Sequence, residues 1–220
     1  MAIAAVLVMA GLVVGLVLAL GGGHGTTTGA SPAPSGTTPT LTPSCCPTTA
    51  PPPRAPSFGF RVLKSNPVRG SSRTRINKVR GTTRRAVQNI RDDLGRMYRL
   101  AFLVPADWQH DRYGPAFQLF AGAARSTARA HTTLLTLGPD AGKRFSRVAS
   151  ASGTLKISLL LDRGGHPFTA VATADFRARA VRASGGATLV HSVGSYFLRP
   201  SKHGWLIFGF QVRREDHPAA

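Results

Sequence analysis

The last third of the chain contains five stretches with the composition of β-strands. In order they read FSRVASAS, TLKISLLLD, PFTAVATADFRARAVR, ATLVHSVGSYFLRP and GWLIFGFQVRR. Gly, Ser, Asp and Lys residues, which favour turns, separate most of them, at residues 162–165, 184–186 and 201–204. Connections this short join neighbouring antiparallel strands. The pattern therefore predicts an antiparallel meander sheet after Lys143.

Two helical regions precede the predicted sheet. The first has apolar residues at helical spacing, namely Val87, Ile90, Leu94, Met97, Tyr98 and Ala101. Thr83 is suited to its N-cap and Pro105 to its end. The second region covers residues 114–138, with Pro115 in its first turn. Helices followed by a run of strands predict an α+β domain over residues 83–216, with the helices packed in a curved antiparallel sheet.

The first 20 residues, MAIAAVLVMAGLVVGLVLAL, carry no charge. At a rise of ~1.5 Å per residue such a helix spans roughly 30 Å, the thickness of a hydrocarbon core. We expect a single transmembrane helix or signal anchor, with a cleaved signal peptide as the alternative. Small residues recur on one face at Gly11, Gly15 and Ala19, a spacing that allows two membrane helices to pair in a homodimer.

A linker and a basic segment connect this helix to the domain. Residues 21–56 are rich in Thr, Pro, Ser and Gly and are expected to be disordered. Residues 57–82 form the predicted polybasic neck, and the cations that define it extend a little beyond both ends. They are Arg54, Arg61, Lys64, Arg69, Arg73, Arg75, Lys78, Arg80, Arg84 and Arg85, with no acidic residue between them. Gly70, Ser71 and Ser72 argue against one continuous helix here, so we expect a pliable segment.

The charge of the chain favours polyanions as binding partners. Twenty-eight Lys and Arg against nine Asp and Glu give a formal net charge of +19, which attracts anionic surfaces in general. Because the basic segment is expected to lie close to a membrane helix, the expected partners are anionic lipid or a wall polymer. An envelope protein is a further expected partner. Nucleic acid is less favoured, because only Phe58 and Phe60 lie among the cations as stacking platforms.

Candidate catalytic residues are few. Asp175 shares the polar face of its strand with Arg177 and Arg179, so a solvated ion pair is expected. His191 alternates with apolar residues and is placed to point into a pocket, where Tyr98 of the first helix could face it. A single His among apolar residues is more often structural, and no base and donor arrangement for catalysis stands out. No clustered Cys, His or carboxylate pattern predicts a metal site, and no motif predicts a cofactor.

The order of elements and several short motifs carry a resemblance to a known family. YRLAF, FQLF and LTLG are followed by FLRP and GWLIFGFQV. This succession resembles the nuclear transport factor 2-like family, which includes ketosteroid isomerase and small polyketide cyclases. It looks most like membrane-anchored actinobacterial members, some of them associated with lipid transporters. The resemblance covers about residues 83–214 and implies a cone-shaped fold with a pocket between helices and sheet.

Together these observations lead to a main expectation and two alternatives. The main one is a single-pass membrane protein that presents a non-catalytic binding or assembly domain on the extracytoplasmic side. The first alternative is an isomerase, dehydratase or cyclase that uses the cone pocket. A buried carboxylate or a His–Asp pair in the cone would favour that enzyme. The second alternative is a non-specific nucleic-acid binder, marked by strongly salt-dependent binding.

The polybasic neck leads to a prediction about anionic membranes. Residues 54–220 are expected to co-sediment with anionic vesicles and not with neutral ones, because each cation near an anionic bilayer contributes about 1 kcal/mol. Replacing Arg69, Arg73, Arg75, Lys78 and Arg80 with Gln should abolish the binding. Equal binding to both kinds of vesicle, or no binding at low salt, would contradict the prediction for lipid.

Overall fold

The computed structural model of the chain describes residues 54–69 and 76–219. Its helices are α1 (Ile76–Tyr98), α2 (Pro105–Trp108), α3 (Gly114–Phe117), α4 (Gly122–Ala130), α5 (Thr132–Leu135) and α6 (Ala141–Arg144). A π-helical turn, Arg99–Leu103, follows α1 directly. The strands are β1 (Arg61–Arg69), β2 (Phe145–Leu161), β3 (Pro167–Arg182), β4 (Ala187–Ser201) and β5 (Gly204–Ala219). The predicted α+β class is confirmed.

The strands form one five-stranded sheet in the order β1-β2-β3-β4-β5. Strands β2 to β5 pair antiparallel with their neighbours, as the short turns predict. β1 pairs with β2 in parallel. A parallel pair needs a crossover connection, and here the connection consists of α1 and the short helices that follow it.

The sheet has one face that packs against helices and one face that does not. On β3, Ala170, Ala172, Ala174, Phe176, Ala178 and Ala180 are buried, and the residues between them are not. The ring of Phe176 lies 4.9 Å from the rings of both Tyr98 and Phe102. We call this the inner face, and the opposite one the outer face. The two-residue period of a strand fixes which residues belong to each.

An aromatic cluster at the inner face joins three parts of the chain. Tyr98 at the end of α1 contacts Phe60, with ring centroids 5.0 Å apart. Phe58 in turn contacts both Phe60 and Phe176 at 5.0 and 5.3 Å. Edge-to-face pairs of this kind contribute about 0.5–1.5 kcal/mol each beyond the area they bury. The segment before β1 is therefore part of the folded unit.

The structure differs from the sequence prediction at the start of the domain. The predicted neck contains β1, and α1 begins at Ile76 instead of near Thr83. β1 was not predicted because its sequence, RVLKSNPVR, lacks the alternation of a half-buried strand. Most of its described side chains are exposed, and it lies at the edge of the sheet, where Pro67 is tolerated without a backbone N–H. The two segments predicted on either side of Gly153 form the single strand β2.

The predicted membrane helix, its face of Gly11, Gly15 and Ala19, and most of the predicted linker lie outside the described residues. Within residues 54–69 and 76–219, the structure contains no helix that is both long and apolar enough to cross a membrane.

Gly153 allows Phe60 to enter the aromatic cluster. A Cβ atom at Gly153 would lie 2.6 Å from Cε1 of Phe60, closer than two carbon atoms can approach. Phe60 is 4 % exposed and held between two other rings, so it has little space to move aside.

We therefore predict that Gly153→Ala destabilises the domain by about 1–3 kcal/mol, the usual cost of overpacking a core. Gly81→Ala is the control, because Gly81 lies exposed in α1 with no atom near its missing Cβ. It should stabilise the domain by about 1 kcal/mol through helix propensity. Urea denaturation followed by circular dichroism measures both. Equal stability of the two variants would contradict this account of Phe60.

Candidate functional site

A His–Asp pair lies on the outer face of the sheet, in the middle of β3 and β4. His191 of β4 is paired with Arg177 of β3. Asp175 lies two residues before Arg177 along β3, on the same face. The His191 Nε2 atom lies 3.0 Å from Asp175 Oδ1, within hydrogen-bond distance. The register of the two strands therefore brings together two residues that the sequence analysis singled out separately.

Arg177 completes the group on the outer face. Its Nε atom lies 3.5 Å from the same carboxylate oxygen, Asp175 Oδ1. Of the two alternative partners predicted for Asp175, Arg177 and Arg179, the structure shows this ion pair with Arg177. Neither contact uses Oδ2. On the other side, Glu215 of β5 is paired with His191 and holds Arg213 at 3.2 Å. The side chain of His191 is 29 % exposed, so a molecule in solution can reach it.

A cavity of about 510 Å³ opens beside this pair. Asp175 and Arg177 form one wall, and the other walls come from residues 57–59, from Arg61 and from residues 151–154 of β2. Its size is within the range of small-molecule sites, roughly 300–1,000 Å³. The carboxylate of Asp175 thus lies between the cavity and the imidazole of His191.

Tyr98 lies on the opposite side of the sheet from His191, so the expected contact between them is wrong. The reason is the period of β4, which turns His191 outward and Tyr196 inward. The Tyr98 hydroxyl lies 2.9 Å from the hydroxyl of Tyr196, and both residues are buried. Burial raises the pKa of Tyr98, and its hydrogen bond with Tyr196 offsets this in part. Burial, with Tyr98 as a neighbour, also raises the pKa of Tyr196 well above its usual value.

One half-buried carboxylate lies on α1 and was not singled out from the sequence. Asp93 Oδ2 accepts a hydrogen bond from the backbone N–H of Trp205 at 3.0 Å, which fixes the start of β5 on α1. Burial raises the pKa of Asp93, while the Trp205 hydrogen bond and Arg96 act in the opposite direction. Its partners are a backbone amide and an exposed cation, so its role is structural. Its signal in the sequence, one Asp beside another on a helix, is too common to be selective.

The cations of the predicted neck are exposed wherever their side chains are described. These are Arg54, Arg61, Lys64, Arg80, Arg84 and Arg85. None of them takes part in an ion pair within the described part of the chain. Arg69 lies in β1 and Lys78 in α1, whereas Arg73 and Arg75 fall outside the described residues. Phe58 and Phe60, the only candidates for stacking platforms among these cations, pack against the core.

Across residues 54–69 and 76–219, no group of three His, Cys, Asp or Glu side chains is close enough to hold a metal ion. The arrangement of His191, Asp175 and Arg177 can move a proton and stabilise a negative charge. Both are elements of general acid–base chemistry.

Comparisons with known proteins give one match, to a solved structure. No protein-family model matches the chain, and no curated protein matches it. Among solved structures, a type 2 hexachlorocyclohexane dehydrochlorinase (LinA) matches with a TM-score of 0.42 and 11% identity. The match covers 66% of this chain and 93% of the other.

The expectation of a non-catalytic binding or assembly domain is corrected by the His–Asp pair, the kind of feature that favours the enzyme alternative. That alternative needs a correction of its own, because the pair lies on the outer face, and the space between helices and sheet is filled with aromatic rings.

The chain has three tyrosines, and the pKa of each is raised above the usual value of about 10. Burial raises the pKa of Tyr113 to about 12, and a hydrogen bond with Thr136 offsets this in part. A raised tyrosine pKa stabilises the fold below about pH 10, where tyrosine is protonated in both states. This stabilisation is lost as the pH rises towards the pKa of the folded state.

We therefore predict that the folded protein shows almost no tyrosinate absorbance at pH 10, where the unfolded chain is about half ionised. The free energy of unfolding should fall as the pH rises above 10. A spectrophotometric titration at high pH, with and without denaturant, measures both effects. If one third of the total tyrosinate absorbance appeared in the native protein with a midpoint near pH 10, the burial of one tyrosine hydroxyl would be contradicted.

Proposed function

We propose that the domain is an enzyme of the isomerase, dehydratase or cyclase type that uses the His191–Asp175 pair for proton transfer. The observation that carries the proposal is the 3.0 Å contact between His191 Nε2 and Asp175 Oδ1. The substrate class is a small carbonyl compound that also bears an anionic group. Such a substrate would bind on the outer face, against the exposed imidazole of His191 and the guanidinium of Arg177, and the cavity that Arg177 lines would take the remainder of the molecule.

His191 acts as the base in this proposal. When Nε2 carries the ring proton, it donates a hydrogen bond to the Asp175 carboxylate. The lone pair of Nδ1 can then accept a second proton. That proton comes from the carbon next to the substrate carbonyl, which leaves an enolate and an imidazolium ion. Asp175 stabilises the imidazolium by its negative charge. Return of the proton to another carbon gives isomerisation, and its delivery to a leaving hydroxyl gives dehydration.

Arg177 supports the abstraction of the proton. Its guanidinium group is 67 % exposed and lies at the wall of the cavity, where it can pair with an anionic group or with the developing enolate oxygen. The remaining donors of Arg177 are available for this, since only Nε contacts Asp175. A substrate with both groups would be held between Arg177 and His191.

The His191–Asp175 pair contributes little to the stability of the fold. Asp175 is 43 % exposed and His191 29 %, and ion pairs in such positions contribute about 0–1 kcal/mol. The inner face, by contrast, holds the buried aromatic cluster. Replacing either residue should therefore leave the domain folded, so that an effect on activity can be separated from an effect on folding.

The resemblance to membrane-anchored members of the nuclear transport factor 2-like family extends the proposal to location. We propose that residues 1–20 hold the enzyme at a cell membrane, with the domain on the extracytoplasmic side. Support comes from the uncharged run of apolar residues and the Thr- and Pro-rich tract after it. A protease-accessibility experiment on intact cells tests this location independently of activity.

The proton-transfer proposal predicts that the full chain accelerates exchange of the methyl protons of pyruvate in D2O, a probe that carries both a carbonyl and a carboxylate. Proton NMR measures the exchange rate. His191→Gln should reduce the enzymatic rate by about 10²–10⁴-fold, the usual contribution of a general base. Asp175→Asn should reduce it as well, because the imidazolium then loses its stabilising charge.

Two further variants make the result specific. Arg179→Gln removes one positive charge from the same face of β3 but does not touch the pair, and it should keep the rate of the unchanged chain. His191→Gly should regain activity when imidazole is added to the solution. Thermal unfolding of each variant verifies that it is folded. Exchange no faster than with an equal concentration of free imidazole, or full activity of His191→Gln, would overturn the proposal.

A further inference from the structure

A second cavity, of about 600 Å³, lies at the end of the sheet away from the His–Asp pair. Its walls come from α6 and the start of β2, from the turn between β3 and β4, and from the last residues of β5. The two cavities have no lining residue in common. Three cationic side chains face this one: Lys143, Arg144 and Arg182.

Backbone pairing fixes the positions of these elements. The first residue of β2, Phe145, is paired with Arg182 at the end of β3. The backbone N–H of Ala183 donates to the Arg144 carbonyl at 2.9 Å, which connects the turn to α6. Thr188 at the start of β4 is paired with Pro218 of β5. The walls of the cavity are therefore bound to one another through the sheet.

Two of the three cations have no carboxylate partner in the described part of the chain. Lys143 is paired with Asp140 at 2.8 Å. The single acidic residue of the cavity, Asp216, has both oxygens occupied by Arg214, at 2.8 and 2.5 Å. Arg144 and Arg182 remain, so the cavity has about two uncompensated positive charges.

Both guanidinium groups are held in place by neutral partners. Arg182 donates from Nε to the hydroxyl of Thr188 at 2.9 Å, a contact that does not use its two terminal nitrogens. Arg144 donates from Nη2 to the Leu137 carbonyl at 2.5 Å and lies over the ring of Phe145 at 5.0 Å. Less ordering entropy is lost when a ligand binds to groups that are already positioned.

We propose that this cavity is a binding site for a small molecule that carries a phosphate monoester group. The charge of such a group, about −1.5 to −2 near pH 7, matches the two uncompensated guanidinium groups. The two terminal nitrogens of Arg182 form a planar fork that suits bidentate binding of phosphate oxygens, and Arg144 adds a second positive charge. Ala183 and Pro218, which are exposed at the wall of the cavity, provide apolar surface for the remainder of the ligand. This site is separate from the proton-transfer site and does not depend on it.

The test uses phenyl phosphate as the probe and the ³¹P line width of the probe, in the presence of the full chain, as the measurement. At an ionic strength of about 0.15 M, distant surface cations are largely screened. Saturable binding of phenyl phosphate is expected, with benzoate, which has one charge, competing only weakly. Arg182→Gln should weaken the binding about tenfold or more, as expected for the loss of charge-assisted hydrogen bonds.

Matched variants separate a built site from general attraction to a basic protein. Arg129→Gln removes an equal charge from the exposed surface of α4 and should change the affinity less than about twofold. Arg182→Lys keeps the charge but loses the fork, so its affinity should lie between those of the unchanged chain and Arg182→Gln. It also serves as the second variant if Arg182→Gln unfolds.

The absence of saturable binding would overturn the proposal. It would also be overturned if Arg129→Gln weakened the binding as much as Arg182→Gln, or if Arg182→Lys bound like the unchanged chain. Competition by benzoate at equal strength would rule out a phosphate site.

Discussion

The two-residue period of β3 and β4 determines where each candidate group of this protein lies. On β3 the period turns Phe176 and its neighbouring alanines towards the helices and Asp175 towards solvent. On β4 it separates Tyr196 from His191 in the same way. A shift of one residue in either strand would exchange the faces and bury the charged groups, at a cost of several kcal/mol for each unpaired charge. The core and the candidate site are therefore consequences of one register.

The helices and β1 depend on the inner face that this register creates. Tyr98 ends α1 and contacts Phe60, Phe102, Phe176 and Tyr196, so one buried side chain connects α1 with β3, β4 and the segment before β1. β1 adds to this mainly through the backbone, because most of its described side chains are exposed. Phe58 and Phe60 therefore hold a strand that its own side chains would hold only weakly. They also fill the space between helices and sheet, which explains why the outer face provides the accessible chemistry.

The features that the sequence could predict were those that depend on local pattern. Turn residues and alternation gave the meander, and helical spacing gave the face of α1 that contains Ile90, Leu94 and Tyr98. The sequence could not give β1, because a parallel edge strand is specified by pairing over more than 80 residues and not by its own alternation. Nor could it place His191 beside Asp175. Alternation assigns each residue to one face of its own strand. Only the register between β3 and β4 decides which residues of the two strands become neighbours on the same face of the sheet.

The scarcity of carboxylates helps to distinguish a site from the general charge of this protein. With nine acidic residues against 28 Lys and Arg, carboxylates are too few to neutralise most cations, so positive charge alone does not indicate a site. The carboxylates, in contrast, have specific uses. Asp93 holds the start of β5, and Asp216 neutralises Arg214, whose side chain is 6 % exposed and bound to carbonyls of the α5 region. Asp175 has no such structural role. In a chain with so many guanidinium groups, its closest side-chain partner is an imidazole, a group that can both donate and accept a proton. A pair of this kind contributes little to folding and provides a proton acceptor at an accessible surface, and chemistry explains its position better than stability does.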